Sequence, residues 1–256
     1  MIYFDRSNKV TKYNQKIIFE NKIGLSFLKS KDLFFEKNEV IYFVDLNSAQ
    51  PLWQYSIESF GTYYDSFKQE HRKYSVSKFL GVWQNELLVA IYEHRIISLD
   101  LKTGKMLREW NKIEGFHFDN FINDLIPRSD SFVLKGDKLV GALYKFYIEI
   151  DLITGQTHFV DISAEMKKYD IVTIYPVLDN PVTDEHIYLT AMMTQKENGP
   201  AWAYECLIAL NLHTHQIDWH YAFEEANLGT NRPQISGNKL YQLDNNKVLH
   251  IFERED

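Results

Sequence analysis

Three histidines stand close together late in the chain: His213 and His215, one residue apart, and His220. A His-x-His pair is a frequent start to a metal site, but a tetrahedral set needs a further ligand at matching spacing, and no Cys or acid supplies it. The pair also falls in a turn between two apolar runs, so a solvated turn without metal is expected. Five acids, Asp119, Asp124, Glu165, Asp170 and Glu224, lie in the longer stretches between apolar runs. Two such acids facing each other ~5–9 Å apart across a cleft would serve as the carboxylate pair of a glycoside hydrolase. Solvated loop acids are the commoner use, so that enzyme stands as the alternative. Cys206 is the only cysteine, so no intrachain disulfide forms. Its setting, Cys206-Leu207-Ile208-Ala209-Leu210, is that of a small buried hydrophobe rather than a nucleophile. No Gly-rich phosphate loop and no Gly-x-Ser-x-Gly elbow is present. The expectation is therefore a non-enzyme that needs no cofactor.

The same long stretches mix large rings with acids. Tyr63-Tyr64-Asp65-Ser66-Phe67 is one, and Phe116-His117-Phe118-Asp119-Asn120-Phe121 with Asp124 is another. Pro200-Ala201-Trp202 and Glu224-Glu225 are the others. Rings that anchor and acids that rim are the composition of a protein interface. The candidate partner-binding residues are Tyr63, Tyr64, Phe118, Asp119, Asp124, Trp202 and Glu224; the competing use is that the rings fold back over the end of a core. Net charge is −7, from 28 basic and 35 acidic residues. That disfavours nucleic acid as a partner and suits a basic protein, whose approach an acidic surface steers. The longest uninterrupted apolar run, Leu87 to Tyr92, is six residues, against roughly 20 for a membrane span. The first twenty residues carry charges throughout, so neither membrane nor export is expected and the compartment is cytoplasmic.

The elements that carry these residues repeat along the chain. An apolar strand ends in Asp or Asn, a short turn follows, and a second strand carries an aromatic. The copies are Val40-Ile41-Tyr42-Phe43-Val44-Asp45 leading to Trp53, Ile96-Ile97-Ser98-Leu99-Asp100-Leu101-Lys102-Thr103-Gly104 leading to Trp110, Tyr147-Ile148-Glu149-Ile150-Asp151-Leu152-Ile153-Thr154-Gly155 leading to Phe159, and Leu207-Ile208-Ala209-Leu210-Asn211-Leu212-His213-Thr214-His215 leading to Trp219. A fifth strand, Val248 to Glu253, reaches the same register. The Asp or Asn side chain closes the turn onto backbone amides, and Gly104 and Gly155 supply positive φ. A further apolar strand precedes each copy, such as Glu86-Leu87-Leu88-Val89-Ala90-Ile91, and its unbroken apolarity implies cover on both faces. Asp161 to Tyr169 has room for a turn or two of helix.

The unit "apolar strand, Leu-Asp-x-x-Thr-Gly, strand with Trp" resembles the pyrroloquinoline-quinone-type (PQQ-like, WD40-like) β-propeller repeat. The resemblance implies an all-β fold of four-stranded blades. Quinone dehydrogenases of that family are exported, have eight blades and carry adjacent cysteines; with one cysteine, this chain is expected to share the fold without the cofactor. An outer-membrane assembly role, which needs an exported lipoprotein, is not expected either. The registers Asp45, Asp100, Asp151, Asn211 and Glu253 are spaced by 55, 51, 60 and 42 residues. Five blades in one domain over residues 1–256 are expected, six being the alternative, with the ring closed by an N-terminal strand pairing with the last blade. Trp53 and Trp219, at matching positions, are expected to pack as structural residues.

With strands A to D in each blade, the A–B turns at Gln84-Asn85, Gly136-Asp137 and Gly237-Asn238 are tight, and so are the C–D turns. The extra length falls at 58–74, 112–130, 163–170, 223–232 and 194–202, all on the D–A and B–C side. Dissimilar long connections gathered on one rigid end point to a single asymmetric partner. The expectation is a non-catalytic, protein-binding propeller, with a bacterial immunity protein that neutralises a basic toxin domain as the concrete candidate. A carbohydrate-binding lectin is the rival from another class.

Overall fold

The computed structural model describes residues 2–5, 10–13, 16–20, 25–65, 68–92, 94–118, 122–176, 179–194, 205–223, 227–229 and 231–253. It divides into two compact units, residues 1–112 with 117–130, and residues 113–116 with 131–256.

The first unit opens with β1 (Ile2–Asp5), β2 (Val10–Tyr13) and β3 (Lys16–Glu20), a three-stranded antiparallel sheet. Next come β4 (Ser26–Lys29), β5 (Asp32–Lys37), β6 (Val40–Asp45) and β7 (Gln50–Ser56), paired in chain order. A hairpin, β8 (Thr62–Asp65) and β9 (Glu70–Lys73), leads to a second four-stranded sheet. Its strands are β10 (Val76–Trp83), β11 (Glu86–Ile91), β12 (Arg95–Asp100) and β13 (Met106–Trp110). A second hairpin, β14 (Lys112–Phe118) and β15 (Ile122–Leu125), follows, with residues 113–116 of β14 counted in the second unit.

The second unit holds β16 (Val133–Lys135), β17 (Lys138–Leu143), β18 (Phe146–Asp151) and β19 (Thr157–Asp161) as one sheet. A short helix, α1 (Ser163–Lys167), leads to β20 (Ile171–Ile174), β21 (His186–Met193), β22 (Glu205–Asn211) and β23 (Ile217–Phe223). The last sheet is β24 (Gln234–Ser236), β25 (Lys239–Leu243) and β26 (Leu249–Glu253). Each of the five repeats thus has its own antiparallel meander, and four of these are four-stranded. Among the described residues no helix is long and apolar enough to cross a membrane.

Burial follows strand position. Every residue of β11 is buried, as its unbroken apolar run requires, whereas β13 is buried only at Trp110. The C–D turns are built as their residues dictate. Asp100 Oδ1 accepts from the Lys102 and Thr103 amides at 3.1 and 2.7 Å and from Thr103 Oγ1 at 2.7 Å. Asp151 Oδ1 accepts from the Ile153 and Thr154 amides at 2.8 and 2.7 Å, and Asn211 Oδ1 from His213 and Thr214 at 2.9 and 3.0 Å. His215, which stands where Gly104 and Gly155 stand, adopts the same left-handed backbone, with φ of 57°.

In the first four-stranded sheet Phe34, Phe43 and Trp53 form one cross-strand row, since Phe34 pairs with Phe43 and Phe43 with Trp53. The Phe34 and Phe43 rings stack at 4.6 Å, and Trp53 sits 5.5 Å from Phe43. Trp53 is buried; its Nε1–H donates to Leu101 O at 2.8 Å, and its ring lies on Gly104 of the next repeat. The aromatic of the second repeat sits elsewhere: Trp110 pairs with Ile96, four residues before its turn acid, while Trp53 pairs two before.

The N-terminal strands pair with one another, through Asp5↔Val10 and Tyr13↔Lys16, and β26 has β25 as its described neighbour; the closing ladder is not among the described pairings. Two expectations need correction. Two of the long connections, 58–74 and 112–130, are not irregular but hold paired antiparallel strands, β8 with β9 and β14 with β15. Finally, the A–B turn is not tight in every repeat, because residues 175–185 separate β20 from β21 on the side of the short turns.

Candidate functional site

Of the seven candidate interface residues, Tyr63, Tyr64, Phe118 and Asp124 are described; Asp119, Trp202 and Glu224 lie outside the described residues. Tyr63 and Tyr64 are neighbours on β8, so pleating turns them to opposite faces. Tyr63 folds inward, with ring centroids 5.2 Å from Tyr74 and 5.5 Å from Tyr92. The Arg95 guanidinium extends this cluster, 4.4 Å over Phe60 and 5.2 Å over Tyr74, and pairs with Glu109. Tyr64 turns outward at 57% exposure, with His71 edge-on at 5.4 Å. Of two adjacent tyrosines, one therefore folds back and the other is left exposed. Phe118 and Asp124 are half-buried on the other hairpin, where Asp124 takes a left-handed φ of 56°. The segment after that hairpin is tied down: His94 Nδ1 meets Ile126 O at 2.8 Å and Ser129 Oγ donates to Ile91 O at 2.9 Å.

Several of the remaining chemistry-bearing residues have structural partners. His215 lies 4.7 Å from the Tyr147 ring and His220 4.8 Å from Tyr169. No cluster of metal-ligating side chains occurs among the described residues. Glu165 Oε1 accepts from the Ile217 amide at 3.2 Å. Cys206 is buried, and burial, followed by the nearby Glu205 charge, pushes its thiol up to about 12. A thiol so protonated has no nucleophilic role at neutral pH.

A cleft of about 500 Å³ opens within the second unit, between the sheet β20–β23 and the last sheet. It lies at the A–B and C–D ends of these strands, beside the 175–185 connection. Its origin is a cross-strand row: Tyr188 pairs with Ala209, and Ala209 with Trp219. This is the counterpart of Phe34, Phe43 and Trp53, counted from the turn residues Asn211 and Asp45. Where Phe43 fills that row, Ala209 leaves a gap between two rings. Trp219 is consequently only half-buried, against the expectation that it packs as Trp53 does. Phe252 meets its edge at 5.2 Å.

A bulge beside the row places an acid at the rim. Between Ala209 and Leu210 the register shifts, and Asp218 is the extra residue on β23. Asp218 Oδ2 accepts from Asn211 Nδ2 at 2.9 Å and meets His186 Nε2 at 2.8 Å. These hydrogen bonds, Asn211 first, hold its carboxyl below the usual value. In the other two bulged sheets the same position is Leu52 or Leu107. The hollow row could be seen in the sequence as Ala209 two residues before Asn211; the bulge had no local signal.

No protein-family model matches the chain, and no curated protein matches it. Solved structures do. A europium-containing methanol dehydrogenase is 11% identical with a TM-score of 0.56, over 91% of this chain and 51% of its own. The computationally designed Ika8 protein is 9% identical with a TM-score of 0.56, over 99% and 70%. BamB from Moraxella catarrhalis is 17% identical with a TM-score of 0.46, over 90% and 71%. At such identities the likeness concerns the fold alone: the chain has a β-propeller architecture of antiparallel, mostly four-stranded sheets.

Proposed function

We propose that this chain is a non-catalytic, protein-binding β-propeller, and that its partner is a basic protein domain. A bacterial immunity protein that neutralises a toxin is the concrete form. The carrying observation is the pair of β-hairpins, β8–β9 and β14–β15, inserted between successive four-stranded sheets, with Tyr64 presented outward. Exposed tyrosine on a rigid hairpin is low-entropy contact area, and the net charge of −7 favours capture of a basic surface. Two of the residues with enzymatic potential have other uses: Glu165 holds a backbone amide and Cys206 is a buried thiol. Cytoplasmic residence fits a lone, unbridged cysteine.

The test begins with affinity isolation from the native source and reconstitution with the purified partner. Tyr64→Ala and Asp124→Asn should weaken binding, while Lys102→Ala on the tight-turn side should not. Weakening by Lys102→Ala alone would show that the wrong end was chosen. An immunity role also requires that co-expression protect cells from the partner, and unprotected growth arrest would reject it. The rival is carbohydrate binding, supported by the Tyr188 and Trp219 rings of the cleft; a glycan-array signal without a protein partner would favour it.

A further inference from the structure

The second unit carries a site that the two hairpins do not explain. We propose that the cleft between β20–β23 and the last sheet is a receptor for an arginine side chain presented by a basic protein segment. Its volume, about 500 Å³, falls in the ~300–1,000 Å³ range of small-ligand sites. The walls are the rings of Tyr188, Trp219 and Phe252, all partly exposed, and the floor includes Ala209 and Leu240. Three carboxylates line it, Glu185, Asp218 and Glu253, against one lysine, Lys239. That lysine is tied to Glu253 at 3.7 Å, and Asn238 donates to the same carboxylate at 3.2 Å. Both hydrogen bonds to Asp218 land on Oδ2. Its Oδ1 accepts none from the described residues, and its side chain is 42% exposed.

This chemistry selects a planar cation. A guanidinium stacks on aromatic faces and donates in a fixed fork to a carboxylate, whereas ammonium is a strongly hydrated point charge. Tyr188 and Trp219 flank the gap that Ala209 leaves, so a flat group entering it meets a ring on either side. The bulge places Asp218 next to that gap, where a stacked guanidinium finds its counter-charge. The rest of the fold shows that neither feature is required for folding. The equivalent row in the first four-stranded sheet is filled by Phe43, and the equivalent bulges carry Leu52 and Leu107. Hollow row and acidic bulge coincide in this one sheet, and the long 175–185 connection, through Thr183 and Glu185, completes the rim. A neutral sugar would use the rings and donate hydroxyls to the carboxylates, but it would leave their excess charge over lysine uncompensated.

The experiment is an NMR titration of the full chain, reading the indole N–H signal of Trp219, identified by its loss in Trp219→Phe. The probe is acetyl-Gly-Arg-Gly-amide; the controls are the same peptide with neutral citrulline, and a chitin oligosaccharide. The site is independent of the hairpin-end reading, and a synthetic probe keeps their failures apart. The arginine peptide should move the Trp219 signal saturably, and the citrulline peptide should not. Binding should weaken as salt rises, since exposed charges are screened beyond a Debye length of about 10 Å at 0.1 M. Asp218→Leu and Ala209→Phe, which install residues the equivalent positions already hold, should each weaken binding by roughly tenfold or more. Should Ala209→Phe fail to fold, as judged by circular dichroism, Asp218→Leu decides alone. Equal shifts with citrulline, unchanged affinity in Asp218→Leu, no shift with arginine, or a shift with the oligosaccharide alone would each overturn the proposal.

Discussion

Trp53→Ala should be among the most damaging substitutions in the first unit, and Trp219→Ala in the second should not match it. The two residues share a repeat position but differ in what surrounds them. Trp53 is buried, packed on Phe43 at 5.5 Å, donating to Leu101 O at 2.8 Å and lying on Gly104. Truncating a buried tryptophan costs about 3–5 kcal/mol. Loss of the indole bond, worth about 1 kcal/mol, places this case towards the upper end. Trp219 borders the cleft, so water already reaches part of its ring and its removal leaves no closed cavity. Its nearest ring is the edge-on Phe252 at 5.2 Å, an aromatic pair worth about 0.5–1.5 kcal/mol beyond area. Its truncation should therefore cost about 1–2 kcal/mol. The assay is urea unfolding of the full chain, followed by far-ultraviolet circular dichroism, with wild type and both variants in one buffer. Equal destabilisation by the two, or a Trp53→Ala midpoint equal to wild type, would refute the inference from row filling.

Gly104→Ala would place a Cβ 2.7 Å from Trp53 Cδ2 at a φ of +68°, so it should cost about 2 kcal/mol or more in the same unfolding assay. Gly136→Ala, with positive φ but nothing within 4 Å, should cost only the backbone share, about 1 kcal/mol. Tyr63→Ala should lower stability by about 1–2 kcal/mol through its ring contacts, whereas Tyr64→Ala should stay within about 0.5 kcal/mol and act on binding. Asp45, Asp100 and Asp151 titrate below the ordinary value of 3.8, chiefly through hydrogen bonds from Asn47, Thr103 and Thr154. The unfolded chain then binds protons first, so their contribution is present above the unfolded value and lost as pH falls through the folded one. Melting temperature should drop on acidification below about pH 4, and Asp100→Asn with Asp151→Asn should flatten that drop. Cys206 should resist a thiol reagent at about pH 8 until the chain unfolds, given its burial.

The turns and the strands were determined by the sequence alone because they are local. Asp100, Asp151 and Asn211 each close a turn onto amides two and three residues ahead, and the fully buried β11 follows from its own apolar run. The short helix at Ser163–Lys167 was equally visible, lying inside the stretch with room for one. What only the tertiary structure decided depends on register. Trp53 and Trp219 stand at the same distance from their turn residues, yet one row is filled by Phe43 and the other hollowed by Ala209. A single bulge residue, Asp218, turns an otherwise ordinary outer strand into the rim of a cleft. Tyr63 and Tyr64 were indistinguishable as a pair until the pleat of β8 sent one inward to Tyr74 and left the other exposed. Hydrogen bonds that span two or three residues can be read along the chain. Which side chain faces which across neighbouring strands is set by pairing and bulges, and a shift of one residue reverses every facing.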